Sequence, residues 1–448
     1  MNVLNERQAS LPTRAAEFVA TYGLAAVVLC LPLEFTSVLV RQQLSRFVLV
    51  IVAAAFVYLV VTGRRRPVFP RFLSVYLLLA YIAVSLMSWL LTRAPGSAGS
   101  LLDIALYPFV ALLAANLAVS ERDHRRVWIA FLASALAVAL LGAFLYATHL
   151  QVWTPNPAVA SRMNITFGDP NITARFLTLG ACAAVIVYAS RQGPSWLTVA
   201  AAVACAVVIP LTFSRSGLAL FIISVAIAIG FALNRRRAAA IGVAALLAFV
   251  ISTGVNPDTR QRATDAAFTA VSAVTGATAH HGGTAAGHHQ AAVASDDNRK
   301  YLVAAGLKMG VDHPIFGVGF GGYQHALLTT YNRYLPAGYT DSVSHTSMVT
   351  VFAEQGIVGA LLMVALLIQL GRETLAARWR RDAWSLCATV PATLIIPIFL
   401  YSQFEGRFFQ EPYLWLALGM LYSAMVAQRG AGAVAEPRGS DAAAAEAA

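Results

Sequence analysis

The sequence predicts an all-α integral membrane protein of about twelve transmembrane helices with one large extramembrane loop, and three observations carry that reading. A chain of 448 residues that is 58% hydrophobic and only 12% charged, with a mean hydropathy of +0.67, cannot hide its apolar side chains behind a charged exterior. Those side chains fall in runs of about 17–25 residues, the length that crosses a hydrocarbon core of about 30 Å. The runs show no period-two alternation, which excludes barrel strands. Helices, which pair their own backbone groups, are the remaining way to span lipid.

The spans are expected at 18–34, 46–62, 72–92, 101–120, 127–149, 172–190, 195–213, 217–233, 237–254, 346–370, 383–403 and 411–427, the first and the eighth being short. Residues 1–254 thus carry nine helices on short loops, 255–345 form the large loop, and 346–428 add three more helices. The stretch 429–448, rich in Ala, Gly and Glu, is expected to be a disordered cytoplasmic tail. The polar first segment, with Arg7 and Arg14, does not read as a cleavable signal peptide.

Orientation follows from the positive charges. Of 32 Lys and Arg residues, 19 fall on one side: Arg7, Arg14, Arg64, Arg65, Arg66, Arg71, Arg122, Arg125, Arg126, Arg191, Arg235, Arg236, Arg237, Arg372, Arg378, Arg380, Arg381, Arg429 and Arg438. Six others lie in the long loop, where the rule loses force, so the short-loop comparison is 19 against seven. Both termini are therefore expected in the cytoplasm, and the long loop on the outer side. The pI near 9.8 does not mark a nucleic-acid binder, because its charge sits in short Arg clusters between apolar runs. Cys30, Cys182, Cys205 and Cys387 all lie inside such runs, so neither disulfide nor thiolate chemistry is expected.

Within the loop, Thr264 to Ser295 is low-complexity Ala, Thr, Gly and His and reads as mobile. Asp296 and Asp297 read as a helix N-terminus, with a helical pattern from Asn298 to Gly310. A turn-rich stretch from His313 to Tyr323 and a short helix over 324–331 lead into the tenth span.

An outward-facing membrane enzyme meets no nucleotide sugars, so its chemistry needs groups that hold an anionic leaving group and accept a proton. Arg215, in the turn Phe213-Ser-Arg-Ser-Gly217 between two spans, breaks the positive-inside bias where charge is costly unless paired. It could equally snorkel to headgroups. Arg299 shares a helical face with Leu302, Val303, Gly306, Leu307 and Gly310, so it points with the packing stripe, although a salt bridge to Asp296 or Asp297 would also explain it. His345 stands at the N-terminus of the tenth span, where the helix dipole disfavours imidazolium. A neutral imidazole is what a general base requires, and a capping histidine is the bland alternative. Phe167-Gly-Asp-Pro-Asn171, with Arg162 and Arg175 on either side, is a further outward polar cluster, in which Arg175 is expected to face a cavity.

Other signals are weaker. His280, His281, His288 and His289 have no carboxylate nearby and do not read as a metal site. Gly317 to Gly322 follows no strand and reads as a tight turn, not a nucleotide loop. Two sequons, Asn164-Ile-Thr166 and Asn171-Ile-Thr173, carry little weight.

Together, the TFSRSG stretch at 212–217, Asn298-Arg299 followed by DHPIFGVGFGGY at 312–323, and SHTSMVTVFAEQGIVG at 344–359 resemble the bacterial O-antigen ligase family, within the wider ligase and polymerase superfamily. The pair Pro170-Asn171 is similar as well. Where the family commonly carries Asn after its loop histidine, this chain has Thr346. The resemblance implies a GT-C-like glycosyltransferase architecture and transfer of a glycan from undecaprenyl pyrophosphate to the terminal sugar of lipid A-core. In that reading His345, Arg215 and Arg299 are catalytic, Arg162, Asn171 and Arg175 bind substrate, and neither metal nor cofactor is required. The chain has no Asp-x-Asp metal motif, Asp296 and Asp297 being adjacent. The rivals are an O-antigen or exopolysaccharide polymerase, an oligosaccharyltransferase to protein, and a transporter. Against the transporter, the polar residues gather at outer span ends instead of the midplane, and only Pro391 and Pro397 suggest a broken helix.

Overall fold

The computed structural model describes residues 10–33, 44–150, 162–257, 259–261, 263–264, 286–335, 344–379 and 383–435. The long helices are α1 (Leu11–Cys30), α2 (Leu44–Val61), α3 (Leu73–Thr92), α4 (Ala98–Leu117), α5 (Glu121–Thr148), α6 (Pro170–Ala189), α7 (Ser195–Val208), α8 (Arg215–Phe231) and α9 (Arg235–Val255). They are followed by α10 (Ala286–Asp312), the short α11 (Tyr323–Thr329), α12 (Ser347–Trp379), α13 (Ala383–Glu405) and α14 (Pro412–Ala435). Each of the twelve expected spans falls on one of these helices.

Among the described residues, ten helical stretches are long and apolar enough to cross a membrane. The chain is an all-α integral membrane protein. Two expected spans fall outside those ten, each for a physical reason. Helix α8 has only 17 residues. Helix α14 is long enough, but its interior position removes the need for an apolar surface. Its residues from Pro412 to Met425 are buried, and Ser423 and Gln428 bond to neighbouring helices instead of meeting lipid.

Helix α6 is the other central element, with 89% of its apolar window enclosed by protein. It packs on α5, α7, α8 and α13, while α14 packs on α4 and α13. Local chemistry fixes the ends. Ser120 and Asp123 form a reciprocal capping box that starts α5. Asp169 caps α6 by accepting from the backbone N–H of Asn171 at 2.7 Å, with Pro170 at the first helical position. Ser214 caps α8 by accepting from the Gly217 N–H at 3.0 Å.

Several expectations are corrected. Helix α10 begins at Ala286, so Asp296 and Asp297 lie inside it and do not start it. Helix α14 runs on to Ala435, past the expected start of the tail at Arg429. Helix α13 continues through both Pro391 and Pro397. The interruption lies instead in α12, where Gly356 adopts φ 62°, ψ −157°. The mobile stretch expected at 264–295 lies largely outside the described residues, as do the side chains of the four histidines at 280–289.

That interruption is filled by the glycine-rich turn after α10. The Ile357 N–H donates to the Pro314 carbonyl at 2.8 Å, and the Ala353 carbonyl accepts from the Val318 N–H at 2.8 Å. A helix would have joined Ile357 to Ala353 directly; the turn supplies a partner to each. Glu354, 7% exposed, accepts from the backbone N–H groups of Gly321 and Tyr323 at 2.9 and 3.1 Å, and Ser88 of α3 donates to the Phe316 carbonyl at 2.8 Å. Gly317, at φ 67°, has no room for a Cβ against the α12 backbone at Glu354.

Candidate active site

The N-termini of α6, α8 and α12 and the C-terminus of α13 lie at one end of the bundle. Three positive helix-dipole ends therefore converge there, with no acidic residue in the first turn of any of those helices. Five of the six sequence-derived candidates sit on these ends or on the segments leading into them.

Asn171 is the hub of the first cluster. Its Oδ1 accepts from Ser214 Oγ at 2.7 Å and from Arg162 Nη2 at 3.3 Å. Arg162 Nε also donates to the Thr212 carbonyl at 3.2 Å, and Ser214 Oγ lies 3.2 Å from Ser216 Oγ. The half-buried Arg215 opens α8 in the middle of this set. The preceding Phe213 has φ 51°, a left-handed conformation uncommon for a bulky residue, and it turns the chain sharply from the short helix over Ile209–Thr212 into α8. Cluster and turn together make a compact donor-rich corner.

His345 belongs to the second cluster. It is half-buried and also left-handed, at φ 55°, two residues before α12 begins. Such conformations cost of order 1 kcal/mol and persist only where the surroundings impose them. Here Ser344 Oγ accepts from the Thr346 N–H at 3.2 Å and donates to the Thr346 carbonyl at 3.0 Å, bracketing the histidine. Thr346 Oγ1 donates to the Gln403 carbonyl at 3.3 Å, and Gln403 Nε2 donates to Ser347 Oγ at 2.6 Å, which ties the segment to the end of α13.

Arg175 differs from its expectation. It does not face a cavity: it is 3% exposed and ion-paired through Nη1 to Glu405 and through Nη2 to Glu411. Both glutamates are themselves buried, at 9% and 2% exposure. Neither glutamate, nor Ser214, Thr212 or Gln403, was among the sequence-derived candidates. The usable signal was Arg175 itself, a cation inside a span that demands a buried counter-charge. Acids at the facing ends of α13 and α14 supply it.

Arg299 lies on a separate layer. Helix α10 runs parallel to α12, with Gly306 against Val349 and Gly310 against the Phe352 ring. Continuing that register sets Leu302 level with His345 and Arg299 about one turn further out. Leu302, Gly306 and Gly310 are buried as the shared face requires, whereas Leu307 is 46% exposed. Leu302, Ala305, Met309, Tyr323, Leu327, Tyr331 and Ala353 form the small core of this layer. At its edge Lys308 pairs with Asp312 and holds that carboxyl below the usual carboxylate range.

No curated protein matches the chain. Residues 200–364 match the family model described as O-antigen ligase. The match contains Arg215, Arg299 and His345, the TFSRSG turn and the turn that fills the α12 interruption, and it excludes Arg162, Asn171, Arg175 and Glu405. Over that stretch, a little over a third of the chain, the protein is similar to the O-antigen ligase family.

Proposed function

We propose that the protein is an O-antigen ligase that transfers a glycan from undecaprenyl pyrophosphate to the terminal sugar of lipid A-core, at the periplasmic face of the bacterial inner membrane. The match to the family model over residues 200–364 supports a ligase- or polymerase-type glycosyltransferase. The observation that carries the finer reading is the meeting, at one end of the bundle, of three helix N-termini, two half-buried arginines and a half-buried histidine.

The donor pyrophosphate fits the corner at Arg162 and Arg215, with Arg299 closing on it from the outer layer. Guanidinium forks make paired, charge-assisted bonds to phosphate oxygens. As the sugar–phosphate bond breaks, negative charge grows on the pyrophosphate, and fixed cations and helix dipoles stabilise it where water is scarce. Asn171 and Ser214 orient Arg162 and the first turn of α8. His345 takes the proton from the acceptor hydroxyl as that oxygen attacks the anomeric carbon. One displacement inverts the anomeric centre and leaves no covalent intermediate. With arginines neutralising the leaving group, the reaction needs no divalent ion, and the architecture belongs with GT-C-like enzymes.

The test is transfer by purified protein in nanodiscs, with lipid-linked donor and lipid A-core in EDTA, read as a ladder on a gel. The expected result is product from the native protein and a loss of at least about 100-fold in His345→Ala. Growth of longer lipid-linked chains from donor alone would make the protein a polymerase. Dependence on an added divalent ion would overturn the arginine-only account, and an active His345→Ala would overturn the base assignment.

A further inference from the structure

The buried trio Arg175, Glu405 and Glu411 takes no part in the transfer as described, yet it joins the two clusters that do. Taking three charges out of water costs several kcal/mol per ion, and apolar side chains of similar volume would hold the helices together as well or better. The trio therefore calls for a reason besides stability.

Its connections supply one. Arg175 lies one turn along α6 from Asn171, the hub that holds Ser214 and Arg162. Glu405 lies two residues after Gln403, which holds Thr346 and Ser347, the two residues that follow His345. Glu411 precedes α14. The guanidinium thus bolts the leaving-group corner on α6 to the turn between α13 and α14. A second rung runs one turn deeper. The hydroxyls of Thr178 and Tyr401 lie 2.8 Å apart, and Tyr401 Oη donates to the Gly217 carbonyl of α8 at 3.3 Å. Helices α6 and α13 are thus tied at two levels beneath the site, and α8 joins them at the deeper one.

We propose that Arg175 is a positioning residue: clamped by Glu405 and Glu411, it fixes the spacing between the Arg162–Asn171–Arg215 corner and His345 without touching substrate. The proposal rests on the ligase reading for its catalytic consequence. Its structural content, that cutting the clamp loosens α6, and with it α8 bonded through Ser214, from the end of α13, stands apart from that reading. A guanidinium is suited to the task because it reaches two carboxylates at once through a planar fork, which an ammonium does not.

The experiment pairs kinetics with a distance. Arg175→Lys, and as a second variant the fully neutral Arg175→Met/Glu405→Gln/Glu411→Gln, are assayed for transfer. Each also carries spin labels at Ala219→Cys on α8 and Phe404→Cys on α13, both exposed positions. The expected result in each is a fall in kcat of about tenfold or more with donor KM within about threefold, and a broadened distance distribution. A tenfold rise in donor KM at unchanged kcat would mean that Arg175 holds substrate. A neutral triple variant with native rate and native distances would mean that the charges serve folding alone. Either outcome overturns the proposal. If the native protein transfers nothing, the ligase reading falls and the distances alone decide the clamp: broadening supports it and unchanged distances overturn it.

Discussion

Ser214 bonds in two directions at once. Its hydroxyl caps α8 through the Gly217 N–H and donates to Asn171 Oδ1, so a small side chain couples a helix start to the hub of the site. Ser214→Ala should cost about 1–2 kcal/mol of stability and reduce transfer more than that loss explains, while Ser214→Thr keeps both bonds. Thermal unfolding in detergent alongside the gel assay reads the two effects separately. At this scale the cations were legible. Arg215 breaks the charge bias of the short loops, and His345 sits at the start of a span. Their partners were not legible, because an isolated Ser in a turn or a Glu at a span end carries no mark of what it faces some 230 residues away, as Glu405 faces Arg175.

The helices themselves were readable because lipid imposes a length and forbids unpaired backbone. Where protein replaces lipid as the surroundings, that reading weakens. Helix α10 started earlier than its acidic pair suggested, and the interruption of α12 could not be seen at all, since the groups that compensate it come from residues 314–319. Gly356 is the test of that arrangement. A Cβ there would meet the Ile315 and Pro314 carbonyls at 2.5 Å in a conformation that L residues avoid. Gly356→Ala should cost at least about 2 kcal/mol and speed amide exchange at Val318 and Gly319, whose N–H groups bond α12. Native exchange at those two amides would mean that the turn docks independently of the interruption.

For the molecule as a whole, the Arg-rich loops and the candidate site lie at opposite ends of the same helices. Positive charge at short loops marks the cytoplasmic side, so a fluorescent protein fused at the C-terminus should fold and emit, and a periplasm-dependent phosphatase fused there should stay inactive. The reverse pattern would place the site in the cytoplasm, away from its substrates. The arrangement of helices around α6 and α14 was beyond sequence reading, because helix packing in a membrane depends on small residues and specific bonds instead of overall hydrophobicity. Gly180 against Ala135 and Gly419 against the α4 backbone at Ala111 are such close approaches.

The turn that fills α12 also bears on how the protein is made. Residues 314–319 are made before α12, so their turn cannot dock until the Ile357 N–H and the Ala353 carbonyl arrive, and without it those two groups would be unpaired, which is costly in lipid. Helix α3, synthesised more than two hundred residues earlier, likewise holds Ser88 ready for a carbonyl that does not yet exist. The arginine corner on α6 and α8 can form as those helices pack, but the histidine end needs the late turn, α12 and α13 together. Assembly thus runs from the Arg162–Asn171–Arg215 corner to the His345 end, and a chain stalled before α13 already carries His345 but lacks Gln403, Glu405 and Glu411, which tie it to that corner.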